Sequence, residues 1–158
     1  MFLKALKADF FVTSGSEEKL SAAIAAGAKG GFNYREPQWW KQAIKESGGF
    51  DVIIDSAGGN LVDIYLKLVK PGGKIVFYGA TAGMPESFDL FRLFWSQATV
   101  LGSTMANDRE FEQMVNMVDD HQIKPVIDSI RPLDDIVSAF DEMKAGKQTG
   151  KLVIRMAH

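Results

Sequence analysis

The sequence predicts an α/β fold in which a parallel sheet is flanked by helices. Three observations carry that expectation. Short β-rich runs alternate with segments of helical apolar spacing along the 158 residues. Such alternation implies βαβ units. The run Phe50-Asp51-Val52-Ile53-Ile54-Asp55 has consecutive apolar residues, as expected of a strand covered on both faces. Several strand candidates end in small residues, namely Ser14-Gly15, Gly58-Gly59, Gly79-Ala80 and Gly102-Ser103. In parallel α/β sheets the carboxyl ends of the strands form the ligand crevice.

Taken in order, Met1 to Ala8 reads as the last turns of a helix. Asp9 to Thr13 is a strand, and Ser16 caps a helix with Glu17 and Glu18 in its first turn and Leu20, Ala23, Ile24 and Gly27 on one side. Gly31 to Tyr34 is a short strand. Pro37 marks the start of a helix with Trp40, Ala43 and Ile44 inward, stopped by Gly48-Gly49. After the Phe50–Asp55 strand, Leu61, Ile64, Tyr65 and Leu68 mark a helix. Pro71-Gly72-Gly73 is a tight turn, and Lys74 to Tyr78 is a second buried strand. Phe88 to Trp95 is helical, Thr99 to Thr104 extended, and Phe111, Met114, Val115 and Val118 mark a further helix. Val126-Ile127, a helix carrying Leu133, Ile136, Val137 and Phe140, and a strand over Lys151 to Arg155 close the chain.

Composition narrows function. The net charge of −2 favours neither nucleic acid nor an anionic membrane, and no apolar run reaches the roughly 20 residues of a membrane span. There is no cysteine, which fits a cytoplasmic protein. With His121 and His158 as the only histidines and no ligand spacing around them, a zinc site within these residues is not expected. Asp119-Asp120 and Asp134-Asp135 read as solvated or capping carboxylates, and the three tryptophans as packing residues.

The strand ends supply the candidate site. Thr13-Ser14-Gly15-Ser16 with Lys19 has small hydroxyls and a cation where an NAD-type site often has an acid for the ribose 2′-hydroxyl. Lys19 suits a 2′-phosphate, or Ser16 merely caps its helix and Lys19 is solvated. Tyr34 lies near an adenosine phosphate with Arg35 adding charge, or belongs to a surface loop. Asp55-Ser56-Ala57-Gly58-Gly59, Gly79-Ala80-Thr81-Ala82-Gly83 and Gly102-Ser103-Thr104-Met105 let a flat ligand approach the backbone. Asp55 reads as a brace for neighbouring loops.

An ordered set of segments resembles one family. It runs through Val12-Thr13-Ser14-Gly15-Ser16, Asn33-Tyr34-Arg35, Phe50 to Asp55, Pro71-Gly72-Gly73, Tyr78-Gly79-Ala80-Thr81, Leu101-Gly102-Ser103-Thr104-Met105, Lys124-Pro125-Val126-Ile127-Asp128 and Thr149-Gly150-Lys151. The chain resembles the C-terminal half of a medium-chain dehydrogenase/reductase, the superfamily of zinc-type alcohol dehydrogenases and quinone oxidoreductases. The Ser, Lys and Tyr combination is similar to its NADP(H)-using, quinone oxidoreductase-like branch. The resemblance implies a Rossmann-like sheet and hydride transfer to or from a carbonyl, enone or quinone. It places Ser14, Lys19 and Tyr34 on the 2′-phosphate side, and Ser56 and Gly58 at the adenosine ribose. Gly79, Ala80 and Thr81 would follow the nicotinamide half, with Ser103 and Thr104 near the carboxamide and Lys151 approaching the cofactor.

The resemblance also implies departures. The first strand and Gly-x-Gly-x-x-Gly-type loop of the family's nucleotide domain have no counterpart between Met1 and His158, nor does the catalytic domain with its zinc ligands and substrate pocket. Residues 1–124 are then an incomplete dinucleotide-binding domain. Residues 125–158 form a C-terminal segment that packs on the catalytic domain. NADP is expected to bind weakly or not at all, and catalysis by these residues alone is not expected. The strands flanking the gap are expected either to close together or to be bridged by another chain, so the partners are a homo-oligomer or the N-terminal domain. Val126-Ile127 and Leu152-Val153-Ile154 would pair with each other or across a dimer. Two other readings stand beside this one. A class I methyltransferase-like domain shares the Phe50–Asp55 and Leu68–Lys74 pattern, and a non-catalytic oligomer module needs no nucleotide.

Overall fold

A computed structural model describes residues 1–156; His158 lies outside the described residues. The elements follow the expected order. They are α1 (Phe2–Ala5), β1 (Phe11–Ser14), α2 (Glu17–Ala25), β2 (Gly30–Asn33), α3 (Trp39–Ser47), β3 (Phe50–Asp55) and α4 (Leu61–Leu68). Then come β4 (Val69–Phe77), α5 (Leu90–Trp95), β5 (Thr99–Gly102), α6 (Asp108–Asp120), β6 (Ile127–Pro132), a 3-10 turn at Leu133–Asp135, α7 (Ile136–Lys144) and β7 (Lys151–Arg155). Local chemistry accounts for the boundaries. Ser16 caps α2 by accepting from the Lys19 amide, and Gly48 ends α3 in the left-handed conformation at φ 72°. Asp89 caps α5 by accepting from the Arg92 amide, and Asn107 and Glu110 form a reciprocal capping box at α6. His121 is the C-cap of α6.

Every described strand pairing is parallel, but the strands form three ladders: β1 with β2, β3-β4-β5, and β6 with β7. Of the Val126-Ile127 pair, Ile127 opens the six-residue β6, which pairs with β7 in the same chain, and Val126 precedes it. β1 and β3 do not hydrogen-bond; they meet through Phe11 and Phe50, whose rings pack edge-to-face with centroids 5.7 Å apart. Among the described residues the two flanking strands do not close together. Pro71-Gly72-Gly73 does not join separate elements. It is an irregularity inside β4, where the β3 register moves from Phe50↔Val69 to Val52↔Lys74, and the Lys70–Asp51 ion pair spans it at 2.8 Å.

The core is one cluster under α3 and α4. Phe32, Trp39, Ala43, Tyr65, Leu66, Leu68, Val69 and Ile75 are buried, with Phe11, Phe50, Ile53 and Phe77 packed against them. Only one face of β3 is covered. Ile53 points to the core, whereas Val52 is 52% and Ile54 58% exposed. This corrects the expectation of a strand buried on both faces: an apolar run records what a strand can bury, not what covers it. A tryptophan also departs from its expected role. Trp39 is buried, but Trp95 is 75% exposed on α5, stacked with Phe91 at 5.8 Å. α6 buries none of its residues. No described helix is long and apolar enough to cross a membrane.

Candidate functional site

Within each of the β1–β2 and β3–β4–β5 ladders parallel pairing directs the strands' carboxyl ends toward one side, and the candidate residues sit just beyond those ends. They fall into two groups, one on each ladder. On the β1–β2 ladder, Ser14 closes β1 and its hydroxyl accepts from the Ser16 amide at 3.2 Å, pinning the turn. Tyr34 follows β2, is exposed, and its amide donates to the Ser14 carbonyl at 3.2 Å. The Asn33 side chain accepts from the Arg35 amide at 3.1 Å and donates to Glu17 at 2.7 Å. Gly15 is the floor of this group. A Cβ there would stand 2.6 Å from Arg35 Nε and 3.0 Å from the Tyr34 hydroxyl. Both polar groups therefore lie over bare backbone.

The Lys19 side chain has a long-range partner. Its ammonium donates to the Gly146 carbonyl at 2.6 Å, at the carboxyl end of α7. A cation there completes helix-end carbonyls and suits the helix dipole. No local sequence signal reveals this, because the partner is 127 residues away.

On the β3–β4–β5 ladder, Ser56 and Gly58 follow β3, and Gly79, Ala80 and Thr81 follow β4. These loops are knitted to each other. The Thr81 and Ala82 amides donate to the Ser56 and Ala57 carbonyls at 3.3 and 2.7 Å, and Gly59 N–H donates to the Gly83 carbonyl at 2.9 Å. A Cβ at Gly79 would meet the Ser56 carbonyl at 2.7 Å, so glycine permits the approach. Ser103 and Thr104 are exposed beyond β5, and the Ser103 amide donates to the Phe77 carbonyl at 2.8 Å.

Asp55 braces this group. Its carboxylate is buried and accepts from the Gly58 amide at 2.6 Å and from the Tyr65 hydroxyl at 2.9 Å. Burial first, and the neighbouring Asp55 charge second, push the Tyr65 phenol well above its ordinary value, so it stays a neutral donor. Sequence reading finds Asp55 as a brace but misses Tyr65, which looks like any apolar-face helix residue. Lys151 begins β7, where its amide donates to the Val126 carbonyl at 2.8 Å.

The two groups are separated by the unpaired edges of β1 and β3. With this arrangement of parallel βαβ units and small-residue strand ends, the chain can be set beside known proteins. A family described as zinc-binding dehydrogenase matches residues 1–120.

The chain belongs to the zinc-binding dehydrogenase family.

Its relatives agree. It is 36% identical to the zinc-type alcohol dehydrogenase-like protein YogA of Leptosphaeria maculans, over 99% of this chain and 46% of that protein. It is 29% identical to the NADP-dependent alcohol dehydrogenase C of Mycobacterium bovis, over 95% of this chain and 42% of that one. A crystal structure of an NAD-dependent alcohol dehydrogenase superposes with a TM-score of 0.88 at 29% identity, covering 98% of this chain and 46% of that one. The family member thus spans about half the length of these relatives, and their names include both cofactors.

The residues present fit the family's two implied groups unequally. The strand-end backbone, the Gly15 floor and the Gly79 approach fit a nucleotide. Among the described residues no three His, Cys, Asp or Glu side chains come together as a metal-binding group.

Proposed function

We propose that this chain is the nucleotide-binding part of an NADP(H)-dependent oxidoreductase that transfers hydride to or from a carbonyl, enone or quinone, and that these residues by themselves perform no turnover. The observation that carries the reading is the end of β1. It presents Ser14, Gly15 and Ser16, with the Tyr34 hydroxyl and the Arg35 guanidinium over Gly15, and no acidic residue within that turn. Hydroxyls and a cation suit a 2′-phosphate, whereas a carboxylate there would accept from a 2′-hydroxyl. Ser14 and Tyr34 would hold the 2′-phosphate, and Ser56 and Gly58 the adenosine ribose. Gly79, Ala80 and Thr81 would flank the nicotinamide half, with Ser103 and Thr104 at its carboxamide. The bound cofactor supplies the hydride chemistry, while the protein orients it and sets its surroundings. A cytoplasmic location, without nucleic-acid or membrane partners, belongs to the same reading and is supported by the absence of cysteine and the net charge of −2.

Tryptophan fluorescence titrated with NADPH, NADH and S-adenosylmethionine tests the proposal. The expected result is saturation by NADPH at lower concentration than NADH and no response to S-adenosylmethionine. Equal affinity for the two nicotinamide cofactors, or tight binding of S-adenosylmethionine, would reject it.

A second reading, a non-catalytic oligomer module, is favoured by one observation. Phe91, Phe94 and Trp95 of α5 form an aromatic cluster, each at least 60% exposed. Exposed apolar area of this kind marks interaction surfaces. A monodisperse monomer in light scattering would sink the oligomer.

A further inference from the structure

Two cations were open to serve a phosphate at the end of β1, and the fold uses them differently. The Lys19 ammonium is engaged with the Gly146 carbonyl at 2.6 Å. That bond joins the first turn of α2 to the end of α7, and so ties residues 125–158 to the β1–β2 unit. The Arg35 guanidinium makes no salt bridge or side-chain hydrogen bond among the described residues. Its backbone amide is fixed by Asn33. Its Nε and Cζ lie 2.6 and 3.1 Å from the point a Cβ of Gly15 would occupy, beside the Tyr34 hydroxyl at 3.0 Å. One oxygen of the Glu17 carboxylate accepts from the Asn33 side-chain amide at 2.7 Å.

We propose a division of labour: Arg35, not Lys19, selects the 2′-phosphate, while Lys19 latches the C-terminal segment onto α2. The inference rests on the NADP(H) reading of the preceding subsection and names the residue within that site that makes the choice. A guanidinium is a planar fork that bonds two oxygens of a phosphate at once, and it remains charged at any physiological pH. Laid over Gly15, it lies beside the Tyr34 hydroxyl, with Ser14 the preceding residue. Three donors of different kinds then converge on one dianionic group. The Lys19 ammonium commits one of its three donors to the Gly146 carbonyl, which anchors it toward α7.

Gly15 is the feature that makes the arrangement checkable. Its φ is not in the left-handed region, so alanine is compatible with the backbone. The closest clash of an added Cβ falls on the far end of the flexible Arg35 side chain at 2.6 Å, with the Tyr34 hydroxyl next at 3.0 Å. Gly15→Ala should therefore displace the guanidinium and leave the fold in place.

The test is calorimetric titration of the full chain with 2′,5′-ADP and with 5′-AMP, which differ only in the 2′-phosphate. The unmodified chain should prefer 2′,5′-ADP by roughly tenfold or more, the size of one charge-assisted pair. Arg35→Gln and Gly15→Ala should each remove most of that preference while 5′-AMP affinity stays within about twofold. Arg35→Lys should restore part of it, having the charge without the fork. Lys19→Gln should keep the preference, but should speed amide exchange across α7 and β7 at least severalfold by releasing the latch. Absence of any preference in the unmodified chain would defeat the underlying reading, and this assignment with it. A preference that survives Arg35→Gln, or collapses in Lys19→Gln, would overturn the division of labour while leaving the NADP(H) reading intact. Circular dichroism of each variant checks folding, and the Arg35→Lys and 5′-AMP arms separate a local loss from a global one.

Discussion

Tyr65→Phe is the sharpest probe of the brace behind the β3 loop. The substitution removes one oxygen and keeps the ring, which packs on Phe77 with centroids 6.3 Å apart inside the core cluster. Apolar burial is therefore unchanged, and the loss isolates the hydroxyl. That hydroxyl donates at 2.9 Å to Asp55 Oδ1, whose only other described side-chain contact is the Gly58 amide at 2.6 Å on Oδ2. A hydrogen bond to a charged group contributes about 1.5–3 kcal/mol, and a buried acceptor left bare incurs its desolvation cost. The expected destabilisation is about 2 kcal/mol, a large share of the roughly 5–15 kcal/mol by which a domain is stable. With a urea slope of about 2 kcal/mol/M, the midpoint should fall by roughly 1 M. Trp39, buried in the same cluster, provides the fluorescence signal. Asp55→Ala, which strands both the Gly58 amide and the Tyr65 hydroxyl, should cost more than Tyr65→Phe. A change below about 0.5 kcal/mol for Tyr65→Phe, the size of an ordinary surface substitution, would show that the pair carries no net stability and that Asp55 is not a brace.

Gly79→Ala should reduce nucleotide affinity at least severalfold with little change in helix content, because its Cβ would press on the Ser56 carbonyl at 2.7 Å and part the β3 and β4 loops; titration of the variant with NADPH reads the effect. Ile75→Ala, at a fully buried site, should cost about 2–5 kcal/mol by the transfer and cavity terms, whereas Ile54→Ala on the uncovered face of β3 should cost far less in the same denaturation assay. The hydrogen bond from Lys70, outweighing slight desolvation, holds the exposed Asp51 carboxyl below its ordinary value. Its small contribution is present above the unfolded carboxyl value near pH ~4 and is lost as pH falls through the lower folded one. Lys70→Gln should therefore move the Asp51 titration measured by NMR to higher pH. Asn107→Ala should fray the start of α6 and cost about 1 kcal/mol, seen as faster exchange of the Glu110 amide, which the Asn107 side chain accepts from at 2.9 Å.

The order and kind of the elements were legible before any coordinates, because side-chain periodicity and capping are local. Ser16 can accept only from its own helix's first turn, and the run Lys151–Arg155 is β-rich over its whole length. The strand-end loops were legible for the same reason: small residues after a strand can be read where they stand. Three things were not. The apolar run of β3 cannot state that its Val52 and Ile54 face has no cover, since burial depends on which elements arrive there. The register irregularity at Pro71-Gly72-Gly73 exists only relative to β3, whereas alone it reads as a turn. Lys19 shows the limit most clearly. Its charge and its position beside Ser14 are local facts, but its bond to Gly146 closes 127 residues of chain. Long-range pairing is chosen by the whole fold, and here it decides which of two neighbouring cations remains unpaired at the end of β1.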